Sequence, residues 1–410
     1  MLKSPALRTA TMLAAGGAGF AIANLLLARI LPPVQFGELS LALSLIQVGA
    51  TIAVLGLPIL ITRRGLAPSP RLLAQTLVPG IVLTVMVVWA ATRLYPLSSG
   101  LPALLAATIL FAALGRVAGA FFQSAQKFGI SLLLSQSQNW VLLASVPIVL
   151  LLANPASTTV IAIVLASYVI TSGIGWALAW RASHRDLDSP AHFSLLSTET
   201  LGAAVHLLAA NVFFQVDRLA VGKVLSFEEL ATYAVVAAIA GSAFRMLQVG
   251  AGYTLTPRLR ATPDRARALQ VLRSEALAVF GLAVFAAAAI AIVMPFIFAV
   301  PLENRYDLPN GLVAAVIVVG FVRIWQAFAA AVVSALGSER LLLAMGVAGW
   351  LALLVSVLAA FGVREHGLTM VIYAIGLGWL AYASCVTVLA LAAWNERFRP
   401  RTHISGCAED

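Results

Sequence analysis

The chain alternates long apolar runs with short polar segments. Twelve of the runs come close to, or exceed, the roughly 20 apolar residues that a helix needs to cross the hydrocarbon layer of a membrane. This pattern predicts an all-α polytopic membrane protein with about 12 transmembrane helices. The predicted crossings are 10–31, 39–61, 72–95, 101–123, 130–153, 158–180, 197–222, 229–256, 274–298, 311–337, 341–362 and 367–394.

A polar connection at 181–196 divides the chain into six predicted crossings on either side. Shifting the first half by 194 positions lays the short loop 31–41 over 225–235, so the two halves share one layout. Because six crossings separate the copies, both halves insert with the same orientation and are expected to form two lobes around a central cavity. The predicted units are an N-terminal six-helix lobe (1–180), a cytoplasmic linker (181–196), a C-terminal six-helix lobe (197–394) and a cytoplasmic tail (395–410).

The charged residues are few and unevenly placed. Of the 410 residues, 61% are hydrophobic and 10% are charged, and the formal net charge is +10. If Met1 is cytoplasmic, 17 of the 26 Lys and Arg residues lie in cytoplasmic segments, 6 lie on the opposite face and 3 lie inside helices. This bias predicts that both termini are cytoplasmic. Membrane orientation thereby explains the positive charge, and we predict no nucleic-acid partner.

Three arginines lie where a charge is costly. Arg245 and Arg323 are at least ten residues from either end of their predicted helices, and Arg116 lies in the inner half of the fourth. An ionisable side chain at this depth costs about 2.5–3.5 kcal/mol on insertion scales and normally faces an internal cavity. We therefore expect these arginines to line the cavity between the lobes.

Asp217 is the one carboxylate expected within the membrane and away from its cytoplasmic edge. Its single negative charge cannot neutralise three guanidinium groups. Guanidinium groups bind phosphate oxygens well. The surplus of positive charge predicts an anionic substrate, for which a pyrophosphate linkage is suitable. The alternative is that each arginine pairs with helix carbonyls or with Asp217 and holds the helices together.

Amide side chains within the apolar runs add candidates for contact with sugar hydroxyls, although buried amides also bridge helices. Gln326 follows Arg323 at helical spacing, and the fifth run opens with a polar cluster of residues 135–139. The amide candidates are Asn24, Gln136, Asn139, Asn211 and Gln326.

Asp217 and His206 are eleven residues apart and share one helix face. They are candidates for coupling to a proton or a sodium ion. The alternatives are a salt bridge between Asp217 and Arg218 near the outer surface and a packed histidine. The segment 262–273 begins with capping residues and predicts a short basic helix on the inner membrane surface. The sequence contains no metal-binding cluster, phosphate loop or catalytic constellation, so we predict no cofactor and no enzymatic activity.

Two stretches resemble the Wzx-type polysaccharide transporters, the oligosaccharide flippases of the multidrug/oligosaccharidyl-lipid/polysaccharide exporter superfamily. In the first outside loop the family pattern is matched by Arg29, Leu31, Pro33, Phe36 and Gly37. In the second half it is matched by the sequence QVDRLAVG at 215–222, which contains Asp217, and by Tyr233 and Ala234. The chain departs from the pattern at Pro32, where a glycine is more usual, and it lacks the extra C-terminal helix pair of the lipid II flippases.

The resemblance implies that a polyprenyl-diphosphate-linked oligosaccharide moves from the inner to the outer leaflet of the bacterial cytoplasmic membrane by alternating access. It adds Arg29 to the candidate substrate-binding residues. It also implies that the protein acts in one polysaccharide pathway together with a polymerase and glycosyltransferases. A cation-coupled multidrug exporter of the same superfamily is an alternative. A membrane-embedded polysaccharide polymerase or ligase is another.

Overall fold

A computed structural model describes residues 5–64, 66, 68–152, 154–183 and 198–399. Its regular elements in these ranges are all helical, and helix pairs connected by short turns run back and forth across one bundle. The α-helices are α1 (Pro5–Ile30), α2 (Pro33–Ala53), α3 (Leu57–Arg64), α4 (Pro70–Leu94), α5 (Leu101–Ser124), α6 (Phe128–Leu150), α7 (Ser157–Ser183), α8 (Thr198–Val224), α9 (Phe227–Val236), α10 (Ser242–Arg260), α11 (Arg265–Ala299), α12 (Leu312–Leu336), α13 (Glu339–Gly362) and α14 (Leu368–Arg397).

These helices confirm the predicted all-α membrane fold of about 12 crossings. Helices α2 and α3 form the second crossing, helices α9 and α10 form the eighth, and each other helix forms one. Ten helical segments of the described residues are long and apolar enough to span a membrane on their own, and the apolar part of α1, Ala15–Ile30, is shorter. Most of the predicted linker (184–196) and of the tail (400–410) lies outside the described residues, so these boundaries stay predictions.

The second and eighth crossings are interrupted near their middles. In the second, Leu55 and Gly56 adopt positive φ angles of 45° and 74°, which ends α2 and starts α3 in a new direction. In the eighth, a π-helical turn, Ala237–Gly241, joins α9 to α10. A π-turn inserts one extra residue into the helix and changes its course, often at a functional site. Both interruptions therefore bend helices that face the space between the lobes.

The sequence predicted a separate surface helix at the basic segment 262–273, and this prediction is wrong. The carboxylate of Asp264 accepts a hydrogen bond from the N–H of Arg267 at 2.8 Å and begins α11, which continues without a break to Ala299. Neither glycine nor proline occurs between Arg265 and Phe280, so nothing stops the helix at the membrane surface. At 1.5 Å per residue the helix is roughly 50 Å long, and its basic first turns extend beyond the hydrocarbon layer.

The N-terminal lobe consists of α1–α7 and the C-terminal lobe of α8–α14. Within the first, α5 packs on α7 and α1 packs on α6; within the second, α14 packs on α12 and α13. The main contact between lobes is made by α2 against α8 and α9. Because α2 and α9 both start at the predicted outer surface, the lobes meet at that end.

Hydrogen bonds between the lobes, among the residues that the structure describes, all lie at this outer end. Tyr306 donates one of these bonds, and burial raises the pKa of its hydroxyl to about 12. Because these bonds join the two lobes, the outer end is closed, and the space between the lobes opens toward the predicted cytoplasmic side. The bonds run from Tyr95 Oη to Leu219 O (3.0 Å), Lys223 Nζ to Leu94 O (2.9 Å), Tyr306 Oη to Ala28 O (2.7 Å), Arg29 Nη2 to Glu303 Oε1 (2.5 Å) and Arg305 Nη1 to Arg29 O.

The closest approach at the outer contact predicts the effect of a substitution at Gly37. A Cβ atom there would lie 2.0 Å from the carbonyl oxygen of Phe227, so the α2 and α9 backbones must separate to admit it. We expect Gly37→Ala to reduce the free energy of unfolding by about 1–3 kcal/mol. The measurement is thermal unfolding of the purified protein in detergent. Gly281→Ala in α11, where a Cβ atom meets nothing within 4 Å, is the matched control and should show no loss. Equal melting temperatures for Gly37→Ala and wild type would contradict this packing.

Candidate functional site

A cavity of about 950 Å³ lies between the lobes. Helices α1, α2, α3, α5 and α6 supply its N-terminal wall, and α8, α9, α10, α12 and α14 supply its C-terminal wall. It extends from Asp217 and Tyr233, close to the outer contact, to Phe128 and Thr254 near the inner ends of α6 and α10. Both interrupted crossings border it, because Val54 and Gly241 are among the lining residues.

The charges on the cavity wall are strongly unbalanced. Its lining contains four arginines and one carboxylate, which together give a formal charge of +3 (four minus one). The three arginines singled out from the sequence are among them, and the fourth lies next to the carboxylate in α8. The charged lining residues are Arg116, Arg218, Arg245, Arg323 and Asp217.

In the C-terminal lobe, Asp217 is ion-paired. Its Oδ2 accepts a hydrogen bond from Arg323 Nη2 at 3.0 Å and another from the hydroxyl of Tyr233. Its Oδ1 accepts a hydrogen bond from the backbone N–H of Arg218 at 3.0 Å. Arg323 also packs over the ring of Trp379. The partner of the carboxylate is thus Arg323 on α12. This agrees with the alternative in which a buried arginine pairs with Asp217, and the side chain of the neighbouring Arg218 is not the partner.

Arg245 has a different environment. Its side chain is exposed to the cavity and lies over the ring of Phe214, with 5.5 Å between the guanidinium carbon and the ring centroid. Among the described residues it donates no hydrogen bond to a protein acceptor, which leaves its five N–H groups available. Arg218 likewise contacts an aromatic ring, that of Phe20 in the opposite lobe, at 5.9 Å.

Arg116 extends from α5 in the N-terminal lobe toward α2. It donates hydrogen bonds to the hydroxyl of Thr51, to the carbonyl oxygen of Gln47 at 3.2 Å and to Oε1 of Gln47 at 2.5 Å. All three acceptors are neutral. The guanidinium is therefore held in place without being neutralised.

Polar side chains without charge cover part of the wall. Gln136 and Asn139 on α6 line the cavity, and Asn139 donates a hydrogen bond to Gln136 Oε1 at 2.6 Å. Two further glutamines on the wall, Gln47 and Gln248, were not among the candidates chosen from the sequence. Each is a single amide inside an apolar run, and that was the available signal. Gln138, from the polar cluster 135–139, and Gln215, from the motif at 215–222, also line the cavity.

The other sequence candidates lie elsewhere. Asn24 is buried and donates a hydrogen bond to Phe20 O at 2.8 Å, and Arg29 belongs to the outer contact. Gln326 is buried between α10 and α12, where its Oε1 accepts a hydrogen bond from Gln248 at 3.4 Å. Asn211 is half-buried in α8 and is not among the lining residues. The side chain of His206 lies outside the described part of the structure, so its coupling role stays a prediction.

The pairing of Asp217 with Arg323 predicts a non-additive effect on stability. Removing one member of a buried ion pair leaves an uncompensated charge and costs about 3–5 kcal/mol. We expect Asp217→Asn and Arg323→Gln each to lower the melting temperature in detergent. The double variant should recover part of the loss, because neither charge remains. Losses that simply add in the double variant would show that the two side chains do not interact.

The fold is similar to those of solved transporters. The inward-facing conformation of a multidrug resistance MATE family transporter of the MOP superfamily aligns with a TM-score of 0.64 and 14% identity over 93% of this chain and 95% of that chain. MATE in the straight conformation aligns with a TM-score of 0.47 and 15% identity over 96% of both chains. No family model and no curated protein matches the sequence. The first of these alignments shows that the chain has a MATE-like transporter fold of two lobes.

Proposed function

We propose that this protein is a flippase of the bacterial cytoplasmic membrane. It carries a polyprenyl-diphosphate-linked oligosaccharide from the inner to the outer leaflet by alternating access. The observation on which the proposal rests is the charge of the cavity, whose wall bears four arginines and a single carboxylate. The resemblance of the two motifs at 29–37 and 215–222 to oligosaccharide flippases adds support.

The charge favours a diphosphate over other cargo. One arginine is matched by Asp217, and the acceptors of Arg116 are neutral. In a space of low dielectric constant, cations without a counter-charge are stabilised by a bound anion. Arg guanidinium groups form paired hydrogen bonds with phosphate oxygens, which gives them geometric preference as well as energy.

The dimensions and the polar lining suit a headgroup that carries sugars. A volume of about 950 Å³ is at the upper end of pockets for drug-sized ligands, and the cavity is open at its inner end. Amides such as Gln136 and Asn139 offer donors and acceptors to sugar hydroxyls. The prenyl tail would remain in the lipid beside the lobes, since the wall is charged and the tail is apolar.

Transport then requires the lobes to rock. Opening the outer side means separating α2 from α8 and α9 and breaking the five outer hydrogen bonds between the lobes. A proton or sodium ion that binds Asp217 would compete with Arg323 for the same oxygen, so coupling would act through this ion pair.

A cation-coupled multidrug exporter is the second candidate. Solved structures of similar fold include a multidrug resistance transporter. The wall also contains aromatic rings, among them Phe20, Phe214 and Phe244, that suit planar drugs. The formal charge of +3 on the wall disfavours cationic drugs. A polymerase or ligase is less favoured, because the outer loop between α11 and α12 spans only 300–311.

Reconstituted protein separates the two candidates. We expect proteoliposomes to make an undecaprenyl-diphosphate-linked oligosaccharide accessible to a lectin or a periodate reagent on the far side, because the cavity stabilises the diphosphate. Protein-free liposomes are the control. Movement of ethidium, without movement of the lipid-linked sugar, would assign the protein to drug export.

The second prediction for transport concerns Arg245. Because its N–H groups are directed to the cavity without protein acceptors, Arg245→Gln should lower the initial rate of lipid-linked sugar movement about tenfold or more. The matched control is Arg93→Gln, which removes an arginine that packs on Trp89 at the outer end of α4. Both variants should insert and elute as the wild type does. A wild-type rate in Arg245→Gln would remove this residue from the substrate site.

A further inference from the structure

Gln47 lies on the cavity wall at the contact between α2 and Arg116. It is half-buried in a helix that is otherwise almost entirely buried. Two of the three hydrogen bonds of Arg116 end on this one residue, on Oε1 at 2.5 Å and on the carbonyl oxygen at 3.2 Å. The third acceptor, Thr51, is one turn further along α2 and donates to the same carbonyl oxygen at 2.8 Å.

A second layer of side chains supports the orientation of the Gln47 amide. A guanidinium can only donate, so Gln47 presents Oε1 to Arg116 and Nε2 to Gln138. Gln47 Nε2 donates to Gln138 Oε1 at 2.7 Å, and the hydroxyl of Tyr168 donates to the same oxygen at 2.6 Å. Gln138 and Tyr168 are both buried, at 4% and 8% exposure, so the arrangement is rigid.

The chemical identity of residue 47 decides the charge of this half of the cavity. An amide oxygen holds the guanidinium of Arg116 by hydrogen bonding and leaves its positive charge uncompensated. A carboxylate in the same place would hold it equally well and neutralise it, as Asp217 does for Arg323 in the other lobe. Arg245 lines the same cavity as Arg116, and among the described residues it too has no hydrogen-bonded acid.

We propose that Gln47 is a positioning residue that holds Arg116 as a rigid, uncompensated cation, and that Arg116 and Arg245 together form the diphosphate subsite. Arg323 remains with Asp217. The inference rests on the proposed function for the identity of the anion. Holding the guanidinium in advance reduces the conformational entropy lost when the anion binds.

The test measures binding of farnesyl diphosphate to the purified full-length protein by isothermal titration calorimetry at several salt concentrations. Gln47→Glu keeps the shape and the acceptor for Arg116, loses the N–H donated to Gln138 and adds a negative charge beside Arg116, and we expect it to weaken binding about tenfold or more. Gln47→Leu loses the same N–H, so the comparison of the two variants isolates the added charge. Gln47→Leu removes the acceptor but leaves Thr51 and the carbonyl oxygen in place, so its loss should be smaller, about threefold. Farnesol lacks the diphosphate, and we expect no measurable binding of farnesol to the wild type or to the variants.

Gln35→Glu is the matched control, because it adds the same charge to the same helix far from the cavity. Gln35 Oε1 accepts a hydrogen bond from the N–H of Ser157 at 2.9 Å, and a carboxylate oxygen accepts this bond as well. Binding by Gln35→Glu should equal that of wild type. The salt dependence supplies a second readout, since Gln47→Glu should bind with a shallower slope of affinity against salt concentration. If Gln47 has a purely structural role, Gln47→Leu weakens binding as much as Gln47→Glu does, and the salt dependence of affinity is unchanged. That result would overturn the inference.

A double variant tests whether Gln47 acts through Arg116. In an Arg116→Gln background, Gln47→Glu should cause little further loss, because the cation that it neutralises is absent. An undiminished loss would refute the positioning role. If wild-type protein does not bind farnesyl diphosphate at all, the proposed function fails. If wild type binds and Gln47→Glu binds equally well, only the role of Gln47 fails.

Discussion

The cost of placing guanidinium groups at membrane depth shapes this molecule. Each of the three arginines expected there has a separate means of avoiding hydrocarbon. Arg323 has a carboxylate, Arg116 has the acceptors of one turn of α2, and Arg245 has an aromatic ring and the open cavity. The lobes cannot close on these groups without removing water from them, so an open space is the arrangement that tolerates the charges. The cavity and the charges therefore require each other.

The same constraint explains where the lobes touch. Apolar helices α2, α8 and α9 meet at the outer end, where Gly37 lets two backbones come close. Toward the inner end the facing surfaces carry arginines and amides, which pack poorly against each other in lipid. The breaks at residues 54–56 and 237–241 bend the two helices that pass from the closed end to the open end. Rocking of the lobes would thus separate the contact of α2 with α8 and α9 and expose these surfaces to water.

The two lobes handle positive charge differently, although their layouts correspond. The fourth crossing of each lobe bears an arginine, Arg116 on α5 and Arg323 on α12. Arg116 is held by an amide and Arg323 by a carboxylate, so of these two arginines only Arg323 is neutralised. Under the proposed function, this asymmetry would give an anionic headgroup a preferred side.

The sequence by itself determined the number of crossings and their order, since both depend on local hydrophobicity, and it predicted their orientation from nearby basic residues. It also identified Arg116, Arg245 and Arg323, because a charge inside an apolar run is recognisable without knowledge of its partners. Contacts between helices were beyond it. Helical spacing placed Gln326 on the same stripe as Arg323, but packing of α10 against α12 buries that amide. Three contacts join residues at least 69 positions apart. They are the ion pair of Asp217 with Arg323, the ion pair of Arg29 with Glu303, and the hydrogen bond from Arg116 to Gln47. Which polar groups meet across such separations depends on how the helices pack, and only the tertiary structure decided it.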